Sequence, residues 1–359
     1  MVGPTVRISS VVKSNAYGHG LKTYPPLIEE LGIDHFSVFS FDEALMVKKH
    51  TQTADVCIMG MIENRQVSKA IERGIEMFVF DLSRLKKVLS EAVRIGIPAK
   101  IHIELETGMH RTGIEKNELD TVIKILIENS QYLVFKGLCT HLAGPESIAN
   151  HVRVNKQITH FQNIKHRFKR NNLFPEYTHI ANSAGTINYP HIKFNMVRIG
   201  ILQYGFWPSQ ETFIRHYTLK KAYKDPLTRA ISWKTKVMTI KKIATGDFVG
   251  YGNFYLAGSD MLIAILPIGY SNGYSRDFSN KGRVLIGGKR CSIIGLVNMN
   301  MIAVDITEAE HVKIGDEAVI IGKQGDLEIS VSYFGTGSDS INYEVLSRLP
   351  IDIPRKIID

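Results

Sequence analysis

Short apolar runs separated by longer stretches of helical period fill the chain from its start to about residue 204, and this alternation constrains the fold more than any other feature. The runs are VRISSVV (6–12), FSVF (36–39), VCIM (56–59), MFVF (77–80), KIHIEL (100–105), VFKGLCT (134–140), YTHIA (177–181) and MVRIG (196–200). Between them lie amphipathic segments such as LKTYPPLIEELG, LSRLKKVLSEAVRIG and the long stretch 150–171. A buried parallel strand reads as an apolar run, and a parallel neighbour needs a crossover helix. Eight such units predict an α/β fold that closes into a (β/α)8 TIM-type barrel.

After about residue 225 the period changes. ISWKTKVMTIKKI, MLIAILPIG, GRVLIGGKRCSIIG, MIAVDI and DEAVIIG are strand-like runs separated by turn residues, with little helix before about 329–347. This pattern predicts a mostly antiparallel β domain. The expected division is a barrel over 1–220 and a β domain over 221–359, with the linker near 205–228, where FWPSQET and KDPLT break both patterns.

Composition narrows the class. With 44% apolar and 22% charged residues in 359, the chain reads as globular. No apolar run approaches the roughly 20 residues that span a bilayer, and MVGPTVRISS lacks a signal-peptide pattern, so a cytoplasmic protein without membrane attachment is expected. Cys57, Cys139 and Cys291 are scattered and lack CxxC or CxxH spacing, which argues against a disulfide framework or a metal site. The net charge of +9 raises the question of nucleic acid, but the densest basic run, KHRFKR at 165–170, has helical period and no repeating aromatic platform. It reads as a solvated helix face, and no nucleic-acid partner is expected.

In a (β/α)8 barrel the working groups sit in the loops after the strands. That rule selects Lys13 to His19 after strand one, Arg111 in TGMHRTG after strand five, His141 in THLAG after strand six, Ser183 in ANSAG after strand seven, and Arg198 with Gly200 at strand eight. Lys13 stands out, because an ammonium at the end of a buried strand loses solvation. It either snorkels to water or is held for its amine. Asn182, Ser183, Ala184, Gly200 and Ile201 supply small residues at the two strands where such barrels commonly bind phosphate. A reactive amine, an anion cradle and two arginines at one mouth suggest pyridoxal 5'-phosphate. A nucleotide-loop lysine is excluded by the lack of GxxxxGK[ST].

VVKSNAYGHG closely resembles the cofactor-lysine signature of alanine racemases. The likeness continues through ETGMHRTG, THLAG, HIANSAG, MVRIGILQYG, GYGNFY, LPIGYSNGYSR and INYE, nearly the whole chain. The resemblance implies a barrel plus a C-terminal β domain, an amino acid substrate, and a head-to-tail homodimer whose sites are each completed by the partner. It makes Lys13 the lysine joined to the cofactor aldehyde and one of two acid/base groups, with Tyr251 of the other subunit as the second. It gives Tyr17, Ser183, Gly200 and Ile201 to the phosphate, and Arg198 to the ring nitrogen with His179 behind it. Arg111 approaches the phenolic oxygen, His141 lies by the ring, and Tyr270 and Met299 lie near the substrate carboxylate and the entrance. Read from the residues alone, Tyr251 between Gly250 and Gly252 is a turn aromatic, Met299 a core filler, Tyr270 a strand-end packing residue, and His141 and His179 core histidines.

Three departures from the family pattern bear on function. Lys13 comes about two dozen residues earlier than is usual, which implies a shortened opening element. Glu104 stands where the family often has a lysine, sometimes carbamylated, so its carboxylate is expected to bring negative charge to Arg111. Ile351 in IDIPR replaces a tyrosine that touches phosphate, and Leu296 replaces an entrance arginine; both changes leave serine or another amino acid open as substrate. Competing accounts are another reaction on the same barrel, or a non-catalytic cofactor-binding barrel. A decarboxylase needs a glutamate at the ring nitrogen, and Tyr251 argues for catalysis.

Overall fold

The computed structural model describes residues 2–220, 225–309, 311–338 and 342–358. The boundary expected at 220/221 and the first residue of INYE fall at the edge of, or outside, these described residues. The chain forms two compact units, one of Met1–Ala16 with Gly20–Thr228 and one of Tyr17–His19 with Arg229–Asp359.

The first unit is the expected barrel. Its strands are β1 (Arg7–Val11), β2 (His35–Val38), β3 (Asp55–Ile58), β4 (Glu76–Val79), β5 (Ala99–Glu104), β6 (Leu133–Cys139), β7 (Tyr177–His179) and β8 (Met196–Ile199). All pairings are parallel, in the order β7-β6-β5-β4-β3-β2-β1-β8. Between β7 and β8 the wall is completed by single bonds: Arg198 N–H donates to Ala181 O at 2.9 Å, and Thr178 N–H to Asn195 Oδ1 at 2.7 Å.

Each expected run lies on a strand, because both strand faces are buried and apolar residues recur without alternation. The helices follow the same logic. The helix Leu82–Ile95 starts on Asp81, whose side chain accepts from Arg84 N–H, and stops at Gly96 in the left-handed region. It buries Leu85, Val88 and Ala92, one apolar stripe facing the sheet. Ser40 and Glu43 form a reciprocal capping box at the start of Phe41–His50. In His151–Arg170 the buried residues are Val154, Gln157, Ile158, Phe161, Ile164 and Phe168, while His166, Lys169 and Arg170 of the basic run are exposed.

The opening strand is present despite the early lysine. β1 pairs with both β2 and β8, and the base of the barrel is tied by Arg7, which bonds Asp34 Oδ1 at 2.9 Å, Asp55 Oδ2 at 3.0 Å and Tyr177 Oη at 2.8 Å.

The second unit is antiparallel throughout. Its strands are β9 (Trp233–Lys236), β10 (Thr239–Ile243), β11 (Met261–Leu266), β12 (Arg283–Ile286), β13 (Lys289–Ile294), β14 (Ile302–Asp305), β15 (Glu317–Gln324) and β16 (Leu327–Ile329). Their order is β10-β11-β14-β13-β12-β15-β16, with β9 on β15. GRVLIGGKRCSIIG is a hairpin whose Gly287 and Gly288 both have positive φ, as a tight two-residue turn requires. Helices Val331–Ser338 and Asn342–Ser347 follow the sheet.

Candidate active site

Lys13 opens the loop after β1, and the backbone beyond it is unusual. Ser14, Asn15, Ala16 and Tyr17 all have φ between 50° and 55°, a left-handed turn built from four non-glycine residues. Such a conformation costs roughly 1–2 kcal/mol per residue, so it persists only because its surroundings hold it. Ser14 N–H donates to Glu43 Oε1 at 2.6 Å, Ala16 N–H to Val12 O at 2.8 Å, and Gly20 N–H to Asn15 O at 2.8 Å. The Asn15 carboxamide accepts from Leu21 N–H at 2.9 Å. Beneath the turn, Val11 O accepts from Gln203 Nε2 and from Tyr204 Oη, both at 3.0 Å. Lys13 is half-buried at this rigid corner. Burial first, then the charges of Arg111 and Arg198, push its amine down against the opposing pull of Glu43.

Arg198, near the end of β8, is buried. Its Nη1 donates to His179 Nδ1 and, at 2.7 Å, to His179 O, and its Nη2 donates to Thr140 O at 2.9 Å. Behind His179 a polar chain runs through the barrel: His179 Nε2 meets His102 Nδ1 at 2.8 Å, and His102 Nε2 meets Glu76 Oε2 at 2.8 Å. His35 Nε2 reaches the same oxygen at 3.1 Å. Phe78 stacks on His102 with ring centroids 5.7 Å apart.

At the other loops, Ser183 begins the short helix Ser183–Asn188 and Asn182 caps it, accepting from Gly185 N–H at 2.8 Å. Gly200 N–H donates to Ser183 Oγ at 3.0 Å, so the Gly200 amide is engaged by the hydroxyl, which keeps its own O–H to give. Ile201 follows at the start of the turn Ile201–Tyr204. Arg111 is exposed on the loop after β5. That loop is pinched by Gly113, where a Cβ would come within 2.3 Å of Glu106 N, and Glu106 Oε2 accepts from His110 N–H at 2.8 Å. Glu104 is buried below it. Burial raises its carboxyl, while Thr112, Arg198 and Arg111 pull the other way. His141 is pushed down to about 3, first by burial and then by Arg198, Arg111 and Lys13, so it is a neutral imidazole.

The first unit therefore gathers Lys13, Glu104, Arg111, His141, His179, Ser183, Arg198, Gly200 and Ile201. Tyr251, Tyr270, Met299, Leu296 and Ile351 belong to the second unit, as does Tyr17, whose phenol burial pushes up to about 12. Tyr251 sits on a loop bounded by Val249 N–H to Tyr255 O at 3.0 Å and Ala257 N–H to Asp247 O at 2.9 Å, between Gly250 and Gly252, both of positive φ. It is a turn residue as its glycine neighbours suggest, and it is 72% exposed. Tyr270 and Met299 are tied together: Tyr270 N–H donates to Asn298 O and Ser271 N–H to Met299 O, both at 3.0 Å. A Cβ on Gly269 would come within 2.1 Å of Asn298 O, so only glycine admits this approach. Met299 is exposed, which corrects the reading of it as a core filler.

Reasoning from loops alone missed Glu76, His35, His102 and Lys136, which lie inside strands. Their signal was available: polar residues in otherwise apolar, doubly buried runs need partners. His35, Glu76 and His102 are also close enough to grip a metal ion. However, Glu76 Oε2 already takes two imidazole contacts, and the Lys136 ammonium lies 3.7 Å from Oε1, a poor setting for a cation.

This site and fold define a (β/α)8 barrel protein with a depressed lysine and two arginines at the strand ends, joined to an antiparallel β domain. Among the described residues no helix is long and apolar enough to cross a membrane. The family model "Alanine racemase, N-terminal domain" matches residues 1–208, and "Alanine racemase, C-terminal domain" matches residues 230–357. The chain belongs to the alanine racemase family. It is 32% identical to an alanine racemase of Leptospira interrogans over 99% of this chain and 90% of that protein, and 31% identical to one of Methanococcus maripaludis over 99% and 92%. Among solved structures, alanine racemase of Bacillus anthracis with bound L-Ala-P matches with TM-score 0.86 and 32% identity, covering 96% of this chain and 86% of that one. The crystal structure of alanine racemase from E. faecalis matches with TM-score 0.88 and 26% identity, covering 98% of this chain and 91% of that one.

Proposed function

We propose that the chain is a pyridoxal-phosphate-dependent racemase that interconverts L- and D-alanine, works as a cytoplasmic homodimer with shared sites, and supplies D-alanine for peptidoglycan. The observation that carries this reading is the Lys13 amine, lowered by burial and by two arginines at the end of β1 in a chain of the alanine racemase family. The donor set fits the cofactor: a cation-rich mouth of Lys13, Arg111 and Arg198 suits its anionic groups, and the Ser183 hydroxyl is a donor for its phosphate. Gly200, Ile201 and Tyr17 would line the phosphate beside Ser183, Arg198 would face the ring nitrogen, and Arg111 with His141 would lie at the ring edge.

When bound, pyridoxal phosphate supplies the electron withdrawal that acidifies the substrate α-proton. Racemisation then needs a proton taken from one face and returned to the other, so two groups must flank the α-carbon. Lys13 Nζ serves one face, and burial with the charges of Arg111 and Arg198 lowers its pKa, in the direction that favours the free amine. The Tyr251 hydroxyl of the partner subunit serves the other, which accords with its exposure within its own unit. Arg198 only donates hydrogen bonds, so a ring nitrogen placed against it would accept a bond without gaining a proton, and electron withdrawal would be limited. That favours prompt return of the proton over side reactions. Tyr270 and Met299 flank the substrate carboxylate.

Serine is the second candidate substrate, because Ile351 is 73% exposed and offers no hydroxyl. The test is borohydride treatment of the purified protein. A visible absorbance band should bleach and the peptide containing Lys13 should gain the reduced cofactor's mass. In deuterated solvent L-alanine should exchange its α-proton faster than L-serine. An unlabelled Lys13 peptide contradicts the reading, and faster exchange of serine reassigns the substrate.

A further inference from the structure

We propose that Glu76 is a positioning residue for Arg198: through His102 and His179 its carboxylate fixes the direction of a hydrogen-bond chain that crosses the barrel interior and ends on the guanidinium. The functional meaning of the chain rests on the assignment of Arg198 to the cofactor ring nitrogen.

The direction follows from the two ends. A guanidinium only donates, so His179 Nδ1, which meets Arg198 Nη1, must accept. A neutral imidazole that accepts at Nδ1 carries its proton on Nε2, and His179 Nε2–H therefore donates to His102 Nδ1 at 2.8 Å. The same step repeats: His102 Nε2–H donates to Glu76 Oε2 at 2.8 Å. A carboxylate only accepts, so the far end demands the same sense as the near end. Every bond points from the mouth to Glu76, and the opposite tautomer at His102 would set two donors face to face.

Burial keeps both rings uncharged. It pushes His102 down despite Glu76, and it pushes His179 well down together with the charge of Arg198. Burial alone would raise the Glu76 carboxyl, but the bonds from His102 and His35 hold it far below the usual carboxylate range. Lys136 Nζ, 3.7 Å from Oε1 and 2.5 Å from Glu176 Oε2, adds a compensating charge at the base.

At the mouth the consequence is geometric. Three Arg198 contacts, to His179 Nδ1, His179 O and Thr140 O, fix the guanidinium plane and leave Nε and one Nη2 hydrogen for a ligand. A carboxylate anchoring a histidine that orients a functional group is a recurring arrangement, and losing the outer partner typically costs 10–100-fold in function.

The experiment compares wild type with Glu76→Gln, which keeps shape but removes charge, and with His102→Phe, which cuts the chain while keeping a ring. In the cofactor-loaded protein both variants should shift the visible absorbance band and lower kcat for L-alanine by about tenfold or more, with KM within about twofold, and the double variant should be no worse than the poorer single one. In 15N-histidine spectra, wild-type His102 and His179 should both be Nε2–H tautomers, and Glu76→Gln should shift His102 toward the Nδ1–H form. A lowered Tm with band, kcat and tautomers unchanged would make Glu76 merely structural and overturn the proposal. If wild type carries no visible band, the cofactor reading fails by itself, and the 15N signals still decide whether Glu76 sets the chain.

Discussion

Gly137 of β6 lies against the ring of His102 of β5: a Cβ at position 137 would come within 2.0 Å of His102 Nδ1. The two residues are register partners, and the ladder shifts between Ile101 and His102 to admit them. A glycine in a buried strand weakens the strand unless something needs the space. Here the space is taken by the imidazole that links His179 to Glu76. Gly137→Ala should therefore force His102 aside, lower stability by about 1–3 kcal/mol, the usual cost of overpacking, and depress turnover. Urea unfolding and racemisation assays on the same preparation check it, and unchanged values in both would contradict it.

Arg198→Glu replaces a group that cannot release its proton with one that can share it. Racemisation should fall by about two to three orders of magnitude, the scale on which a lost transition-state donor shows, and transamination should rise relative to racemisation. The measured quantity is the ratio of keto acid to D-alanine formed per turnover.

Glu104 is the acidic neighbour of Arg111 and Arg198, and burial raises its carboxyl. Glu104→Gln removes that charge and should weaken cofactor binding by about tenfold, or about 1.4 kcal/mol. Because the wild-type group protonates at higher pH than a free carboxylate, wild-type affinity should fall as pH drops through that raised value. The Gln variant should lack this limb. Fluorescence titration with pyridoxal phosphate at several pH values measures both.

Acid should unfold the protein from the histidine side first. His141, pushed down to about 3, stays neutral in the folded state, and His102 and His179 are lowered likewise. In the unfolded chain histidines take up protons near pH 6.5. The unfolded state then binds more protons, so stability is lost as pH falls from about 6.5 toward 3. Glu76 adds a further loss below the unfolded carboxylate value of about 4.3, because its folded value is depressed. His141→Gln should make the slope between pH 6 and pH 4 shallower by close to one proton, about 1.4 kcal/mol per pH unit.

The barrel was legible because both faces of its strands are buried, which writes them as apolar runs such as MFVF and MVRI. The mouth was legible from loop position and family likeness together. What the sequence hides is of two kinds. Ser14, Asn15, Ala16 and Tyr17 carry no preference for four successive left-handed residues; local bonds to Val12 and from Leu21, with Glu43 from 29 positions away, hold that turn, and the demand from Glu43 leaves no local trace. Glu76, His102 and His35 were hidden differently, as single polar letters inside strands whose partners lie 26 to 77 positions away. Met299 shows the limit of composition: a methionine beside a strand reads as filler, yet it stands exposed.

The most direct test of a site shared by Lys13 of one subunit and Tyr251 of another is complementation. Lys13→Ala and Tyr251→Phe proteins, each nearly inactive alone, are mixed, unfolded and refolded together, and racemisation of L-alanine is measured. Random pairing makes half the dimers mixed, each with one intact site of two, so activity should return to about a quarter of wild type. If the mixture stays as inactive as its components while mixed dimers form, the two residues do not serve one substrate across a subunit boundary.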